Sequence, residues 1–245
     1  MMKLDHSTSR RDFLTAGLMG AAATVFSPSL AAAALRPSTA ASGSVSGTSH
    51  RALTPVDALA RLREGNARVV EGRPTGPNRT LDRVAAVAPS QAPFAAVLGC
   101  ADSRVPPELL FDQGYGDLFV VRVAGNVATP EELASLEFAV AALGASLVVV
   151  LGHSECGAVK AAMAPDVPPG QISTLFQHIT PALPVGEANV MAAVEANARH
   201  QMEVVRRGSP LLAQATAEDR LGIVAAVYDL DDARVRILDT VGVDR

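Results

Sequence analysis

Residues 94–104 read Phe94-Ala95-Ala96-Val97-Leu98-Gly99-Cys100-Ala101-Asp102-Ser103-Arg104. An apolar run of this length, closed by glycine and then by polar residues, predicts a buried β-strand and the loop at its carboxyl end. A second run, Leu147-Val148-Val149-Val150-Leu151, is more apolar still and ends in Gly152-His153-Ser154-Glu155-Cys156-Gly157. The chain has two cysteines, and each falls just past one of these strands. Parallel sheets collect their ligands at the carboxyl ends of strands. Two thiols and one imidazole meeting there supply three zinc ligands and leave a fourth position for chemistry.

Outward from these strands, helical and strand periodicities alternate. Thr54 caps a helix that has Pro55 at its first position and Asp57 in its first turn, with apolar residues at helical spacing through Val70. Val84–Ala88 is a short helical piece, and Glu108–Phe111 another. Leu118–Val123 predicts a second strand, apolar up to Arg122 and expected to be buried on both faces. The tight turn Ala124-Gly125-Asn126 follows it. Thr129, Pro130, Glu131 and Glu132 open a helix running to about Leu143, and Cys156-Gly157 opens one over Ala158–Met163. Helical pattern is weak over Ile172–Leu183, strong over Gly186–Arg207, and returns over Leu211–Ala217. Leu221–Asp229 predicts a fourth strand and Arg234–Leu238 a short edge strand. The alternation predicts an α/β fold: a single domain over 52–245, a four-stranded mainly parallel sheet plus a short edge strand, flanking helices and an N-terminal helical arm.

Composition agrees. With 245 residues, 49% of them hydrophobic, the chain can build one sizeable core, and with 4% aromatics and no Trp that core is Ala, Val and Leu. A net charge of -4 without any Lys/Arg block argues against nucleic-acid binding. At the N-terminus, Ser9-Arg10-Arg11-Asp12-Phe13-Leu14 precedes a weakly apolar, Ala/Gly-rich stretch to Leu35 and resembles a twin-arginine export signal. Ser27-Pro28-Ser29 makes that stretch a poor membrane span. The expectation is a signal peptide over 1–34, cut near Ser29-Leu30-Ala31 or within Ala31–Ala34, and a Ser/Ala/Gly/Thr-rich linker over 35–51. The mature protein is then periplasmic or secreted, with no stable membrane insertion. An oxidising compartment makes a Cys100–Cys156 disulfide in a non-catalytic protein the competing reading. Export of an already folded protein favours the metal.

Three strand ends, Cys100-Ala101-Asp102-Ser103-Arg104, Arg122-Val123-Ala124-Gly125-Asn126 and His153-Ser154-Glu155-Cys156-Gly157, resemble in order those of the β-class carbonic anhydrases. The likeness extends from about Leu53 to the C-terminus, and the Pro55–Arg73 helix with its Glu64-Gly65-Asn66 looks like the family's N-terminal arm. The resemblance implies a zinc ion held by Cys100, His153 and Cys156, and reversible hydration of carbon dioxide to bicarbonate by zinc-bound hydroxide. Hydrolysis of an analogue such as COS or CS2 at the same zinc is the alternative chemistry. Zinc bound by two thiolates and a neutral imidazole has little net charge, so its water is less acidic than at a three-histidine site. An acceptor beside it then matters. Asp102 is placed for this, with Arg104 holding its carboxylate bidentately. Cys156, at a helix N-terminus, is expected to have a lowered thiol pKa.

The family has a form in which the aspartate can close onto the zinc, associated with a Trp three residues before the first cysteine; here that position is Val97. Gln91, Phe119 and Phe138 match the open form. The resemblance therefore implies an open site, Gln91 donating to bicarbonate across a dimer interface, and an apolar carbon dioxide pocket of Phe119, Phe138, Val123 and Ala124, with Gly157 also in contact with substrate. Val123 stands where the family usually has Asn. A homodimer or a dimer of dimers is expected. Arg122 is either structural or anion-facing, Glu155 a solvated loop charge, and His178 and His200 structural.

Overall fold

The computed structural model describes residues 53–166, 168–186 and 189–243. The export signal and the linker lie outside the described residues. Helix α1 (Pro55–Val70) begins where Thr54 accepts the Asp57 N–H, and α2 (Leu81–Val87) is capped the same way by Thr80. Then follow β1 (Ala95–Gly99), the one-turn α3 (Pro107–Leu110), β2 (Leu118–Arg122), α4 (Pro130–Glu137), β3 (Leu147–His153) and α5 (Gly157–Met163). The second half holds the short α6 (Phe176–Ile179), the long α7 (Val190–Gly208), α8 (Pro210–Ala217), β4 (Gly222–Tyr228) and β5 (Val235–Val241). The helix begun at Pro130 continues beyond Glu137 as a π-helical turn, Phe138–Ala142, and Gly144 at φ +77° ends it.

The five strands lie in the order β2-β1-β3-β4-β5. All neighbours are parallel except β4 and β5, which pair antiparallel with a register shift at Ala225/Ala226. Alternate residues face opposite sides. Ala95, Val97, Leu147, Val149, Val224 and Ala226 enter one core with α1, α3 and α5. Ala96, Leu98, Val148, Val150, Ile223 and Ala225 enter a second with α4 and α8. The central strands are buried throughout, as their unbroken apolar runs require.

Two expectations are corrected. Strand β2 is not buried on both faces: it is the sheet edge, half-buried through Val121, with Arg122 exposed. Strand β5 is not short; it has seven residues, as many as β4, which it covers.

The chain runs from β1 to β2 on one side and to β3 on the other, so the connections diverge at the β1/β3 boundary. In such sheets the ligand crevice opens outside the carboxyl ends of those two strands. The Glu64-Gly65-Asn66 triplet now has a reason. A Cβ on Gly65 would lie 1.8 Å from the Phe111 carbonyl oxygen, so α1 can seat only through glycine. Asn66 donates to Leu110 O and Ala233 O and accepts from Val235 N–H, tying α1 to α3 and β5. Gly65→Ala should therefore lower the melting midpoint by about 5 °C or more. Calorimetry showing an unchanged midpoint would mean that α1 is not seated on Phe111.

Candidate metal centre

Cys100 follows β1 directly, His153 is the last residue of β3, and Cys156 is the N-cap of α5. A left-handed backbone at Glu155, φ +58°, turns the chain so that His153 and Cys156 face one point. The two sulfurs are 4.0 Å apart, and the three ligand atoms lie within 4.8 Å of one another. All three side chains are buried. Among the described residues this is the group of such donors suited to a metal ion.

The geometry rules against the disulfide alternative. Both cysteines are free, and 4.0 Å is far from a bonded S–S distance of about 2.05 Å. It is close to the roughly 3.8 Å expected between two sulfurs on one tetrahedral zinc with ~2.3 Å bonds. The imidazole is equally prepared. His153 Nδ1 lies 2.9 Å from the Ser154 carbonyl, which can only accept, so Nδ1 carries the proton. Nε2 is left buried with no hydrogen-bond partner. A buried bare nitrogen costs free energy unless something fills its lone pair. A metal does that, so the donor set fits zinc.

The two thiols meet in one buried sulfur–sulfur contact. The contact with the Cys156 sulfur lowers the Cys100 thiol below its ordinary range; burial opposes this, and His153 and the Gly125 N–H assist. Cys156 is pushed up, first by that same contact and then by burial. The helix-start N–H groups of Ala158 and Val159 act in the expected, lowering direction. Both sulfurs would hold a metal dication as thiolates.

Asp102 stands beside the donor set, with Oδ2 3.9 Å from His153 Nε2. Arg104 grips its carboxylate with Nε at 2.9 Å and Nη2 at 2.7 Å, and adds its backbone N–H at 3.0 Å. The Arg104 hydrogen bond holds the Asp102 carboxyl far below the usual carboxylate range. Arg122 resolves to the structural reading: its guanidinium donates to the Cys100 carbonyl at 2.9 Å and to the Asp102 carbonyl, pinning the backbone that carries both. Glu155 is exposed and paired with Lys160. The half-buried His178 and His200 are not in the donor set.

The remaining predicted residues divide. Val123 is next to the centre: its N–H donates to Gly99 O and its carbonyl accepts from Ala101 N–H. Ala124 follows it, half-buried, and Gly157 adjoins Cys156 with open space above its Cα. Phe119, by contrast, pairs with Ala96, four residues before Cys100, and packs into the second core. It touches Phe138, ring centroids 6.3 Å apart, which is exposed. Gln91 is exposed before β1, at the opposite end of the strand from Cys100. Within one chain these three are not brought to the donor set. Three residues without a role in the sequence reading do belong to the surroundings. Ser154 receives the His153 proton through its carbonyl, and its hydroxyl oxygen accepts from the Leu230 N–H. Asn197 and Gln201 of α7 hold the turn after β2.

The fold and the donor set define a class, an α/β protein with a thiolate–imidazole centre for one metal ion at the switch point of its sheet. A family model described as carbonic anhydrase matches residues 95–235. Carbonic anhydrase 2 of Mycobacterium tuberculosis is 41% identical over 196 residues, covering 77% of this chain and 95% of its own length. The carbonic anhydrase of Mycolicibacterium smegmatis has the same identity and coverage. Among solved structures, a β-carbonic anhydrase from Coccomyxa, in complex with acetazolamide, superposes with a TM-score of 0.59 at 28% identity, covering 75% of this chain and 86% of that one. One of two tetrameric β-carbonic anhydrases from Sordaria macrospora gives 0.59 at 26%, covering 63% and 85%. This chain belongs to the carbonic anhydrase family, in its β class.

If the centre is as built, protein unfolded without reductant releases one zinc and two titratable thiols per chain. Cys156→Ser should retain less than about a tenth of an equivalent of zinc. A metal assay with a thiol count checks both, and a chain with no titratable thiol would return the disulfide.

Proposed function

We propose that the protein is an exported zinc enzyme that interconverts carbon dioxide and bicarbonate. The observation that carries this reading is the bare His153 Nε2 facing two free sulfurs, beside an Asp102 already held by Arg104. Cys100, His153 and Cys156 would hold the zinc, which when bound would supply the Lewis acidity that makes a water nucleophilic near neutral pH. The chain's own residues do the rest. Because Arg104 keeps Asp102 ionised, its carboxylate can only accept a hydrogen bond. It draws the proton of the attacking water toward itself and turns the oxygen lone pair toward the carbon. Val123 and Ala124 give an apolar approach for a nonpolar substrate. Water adds to carbon dioxide, bicarbonate leaves, and the released proton passes to buffer.

The bidentate grip of Arg104, together with Val97 in place of a tryptophan, supports an open site in which Asp102 does not become a ligand. Gln91 lies too far along β1 to serve its own chain, so in this reading Gln91 of the partner subunit donates to bicarbonate. The functional unit is then a homodimer or a dimer of dimers.

Asp102→Asn should bind zinc as the parent does while losing about 10²–10³-fold in kcat for carbon dioxide hydration, measured by stopped flow. An active variant would remove Asp102 from the mechanism. Because its folded-state pKa is depressed, Asp102 is ionised throughout the neutral range and adds no acid limb there. Its stabilisation is present above the unfolded carboxylate value of about 3.9 and is lost as pH falls through the folded value.

Export is proposed on the Arg10-Arg11 motif. Expressed from the full chain, the protein should be recovered outside the cytoplasm, shortened by about the signal length, and should scatter light as twice or four times its chain mass. The Arg10→Lys/Arg11→Lys double variant should stay inside at full length. Export of that variant would sink the signal assignment.

A further inference from the structure

We infer that Asn197 and Gln201, one turn apart on α7, are positioning residues for the metal centre: they hold the Gly125 N–H on the Cys100 sulfur and so moderate the charge that thiolate presents to the metal. The inference rests on the zinc reading above.

The contacts form one connected chain. The Gly125 amide nitrogen lies 3.3 Å from Cys100 Sγ. The Gly125 carbonyl accepts from Asn197 Nδ2 at 2.9 Å, and Asn197 Oδ1 accepts from Gln201 Nε2 at 3.1 Å. The same Nε2 donates to the His178 carbonyl at 2.8 Å, while Gln201 Oε1 accepts the Ala128 N–H at 2.9 Å. Every polar atom of the two side chains is used, and each residue is 1% exposed. The turn is closed from its other side as well. Gly125 has φ +77°, and a Cβ there would lie 2.8 Å from Ile179 Cδ1 and 3.3 Å from the Ala158 Cβ.

Packing alone does not account for two buried amides. The rest of the α7 stripe, Ala193, Val194, Ala198, Met202 and Val205, already supplies apolar contact. Burying an amide carries a desolvation cost that a leucine does not. What the amides add is direction: they fix both ends of the 125–128 turn, and the group this turn aims at the centre is an N–H. An N–H donated to a thiolate withdraws charge from sulfur. Partners of this kind outside the ligand set typically change metal affinity about 10–100-fold when removed.

The test uses the full-length chain loaded with cobalt(II), whose thiolate-to-metal charge-transfer band reports sulfur charge directly, and zinc affinity from competition with a chromophoric chelator. Asn197→Ala should shift the band to lower energy and weaken zinc binding about tenfold or more. Met202→Ala, a truncation of similar burial on the same helix but in the second core, should lower the melting midpoint and leave both readouts in place. Should Asn197→Ala not fold, Gln201→Met, similar in shape but without the amide, is read in the same way. A folded variant with unchanged band and affinity, or an equal shift in Met202→Ala, overturns the positioning role. No charge-transfer band in the unmutated protein overturns the zinc reading along with it. A band that is present but indifferent to Asn197 overturns this inference alone.

Discussion

The parallel pairing of β1 with β3, with Gly99 opposite Leu151, is the constraint on which the site depends. Cys100 leaves its strand one residue beyond Gly99, whereas β3 runs two residues further to His153. Sulfur and imidazole therefore come from adjacent strand ends and not from one flexible loop. Runs that are apolar on both faces specify register poorly, since a slip exposes nothing polar. Here the register is held by backbone hydrogen bonds just outside the strands. At the amino ends Ser146 N–H donates to Phe94 O and Gly222 N–H to Ser146 O. At the carboxyl ends Val123 N–H donates to Gly99 O and Ser154 N–H to Tyr228 O. A one-residue slip would carry His153 to the other face and dissolve the donor set.

Electrostatics then divides the labour between two arginines. Arg104 acts on a side chain, holding the Asp102 carboxylate ionised and in one orientation. Arg122 acts on the main chain, binding the carbonyls of Cys100 and Asp102 so that the backbone carrying the proposed ligand and the proposed acceptor is fixed as one piece. The distinction matters because a centre with two thiolates has little positive charge left. Orientation must supply what raw electrostatic pull would supply at a more cationic metal.

The candidate donors Cys100, His153 and Cys156, the Asp102–Arg104 ion pair and the succession of strands along the chain were legible because each is local: an apolar run, then polar residues within a few positions of its end. The Thr54 and Thr129 caps were legible for the same reason. The errors fall where sequence order and spatial order part. Nothing in Leu118–Arg122 says that it will lie outside β1, so an apolar run read as central became an edge. Asn197 and Gln201 did leave a signal, an i,i+4 amide pair inside the stripe that α7 buries. Their target, the turn at Gly125, is visible only once α7 crosses that end of the sheet.

The edge position of β2 also bears on the proposed assembly. Leu118, Phe119, Val120 and Val121 are half-buried on a strand whose outer edge pairs with no other strand among the described residues, and the exposed Phe138 ring leans on Phe119. Proteins usually protect such edges with lysine, proline or a covering element, and within Leu118–Arg122 only the terminal Arg122 carries charge. Gln91 and the two phenylalanines lie toward the amino end of the sheet, whereas the donor set is at its carboxyl end. A second copy packed across this edge would resolve both problems together. It would cover apolar surface that one chain leaves half-exposed, and it would bring to each centre the amide and rings that its own chain directs elsewhere. In the proposed dimer, stability and substrate binding therefore have the same physical origin.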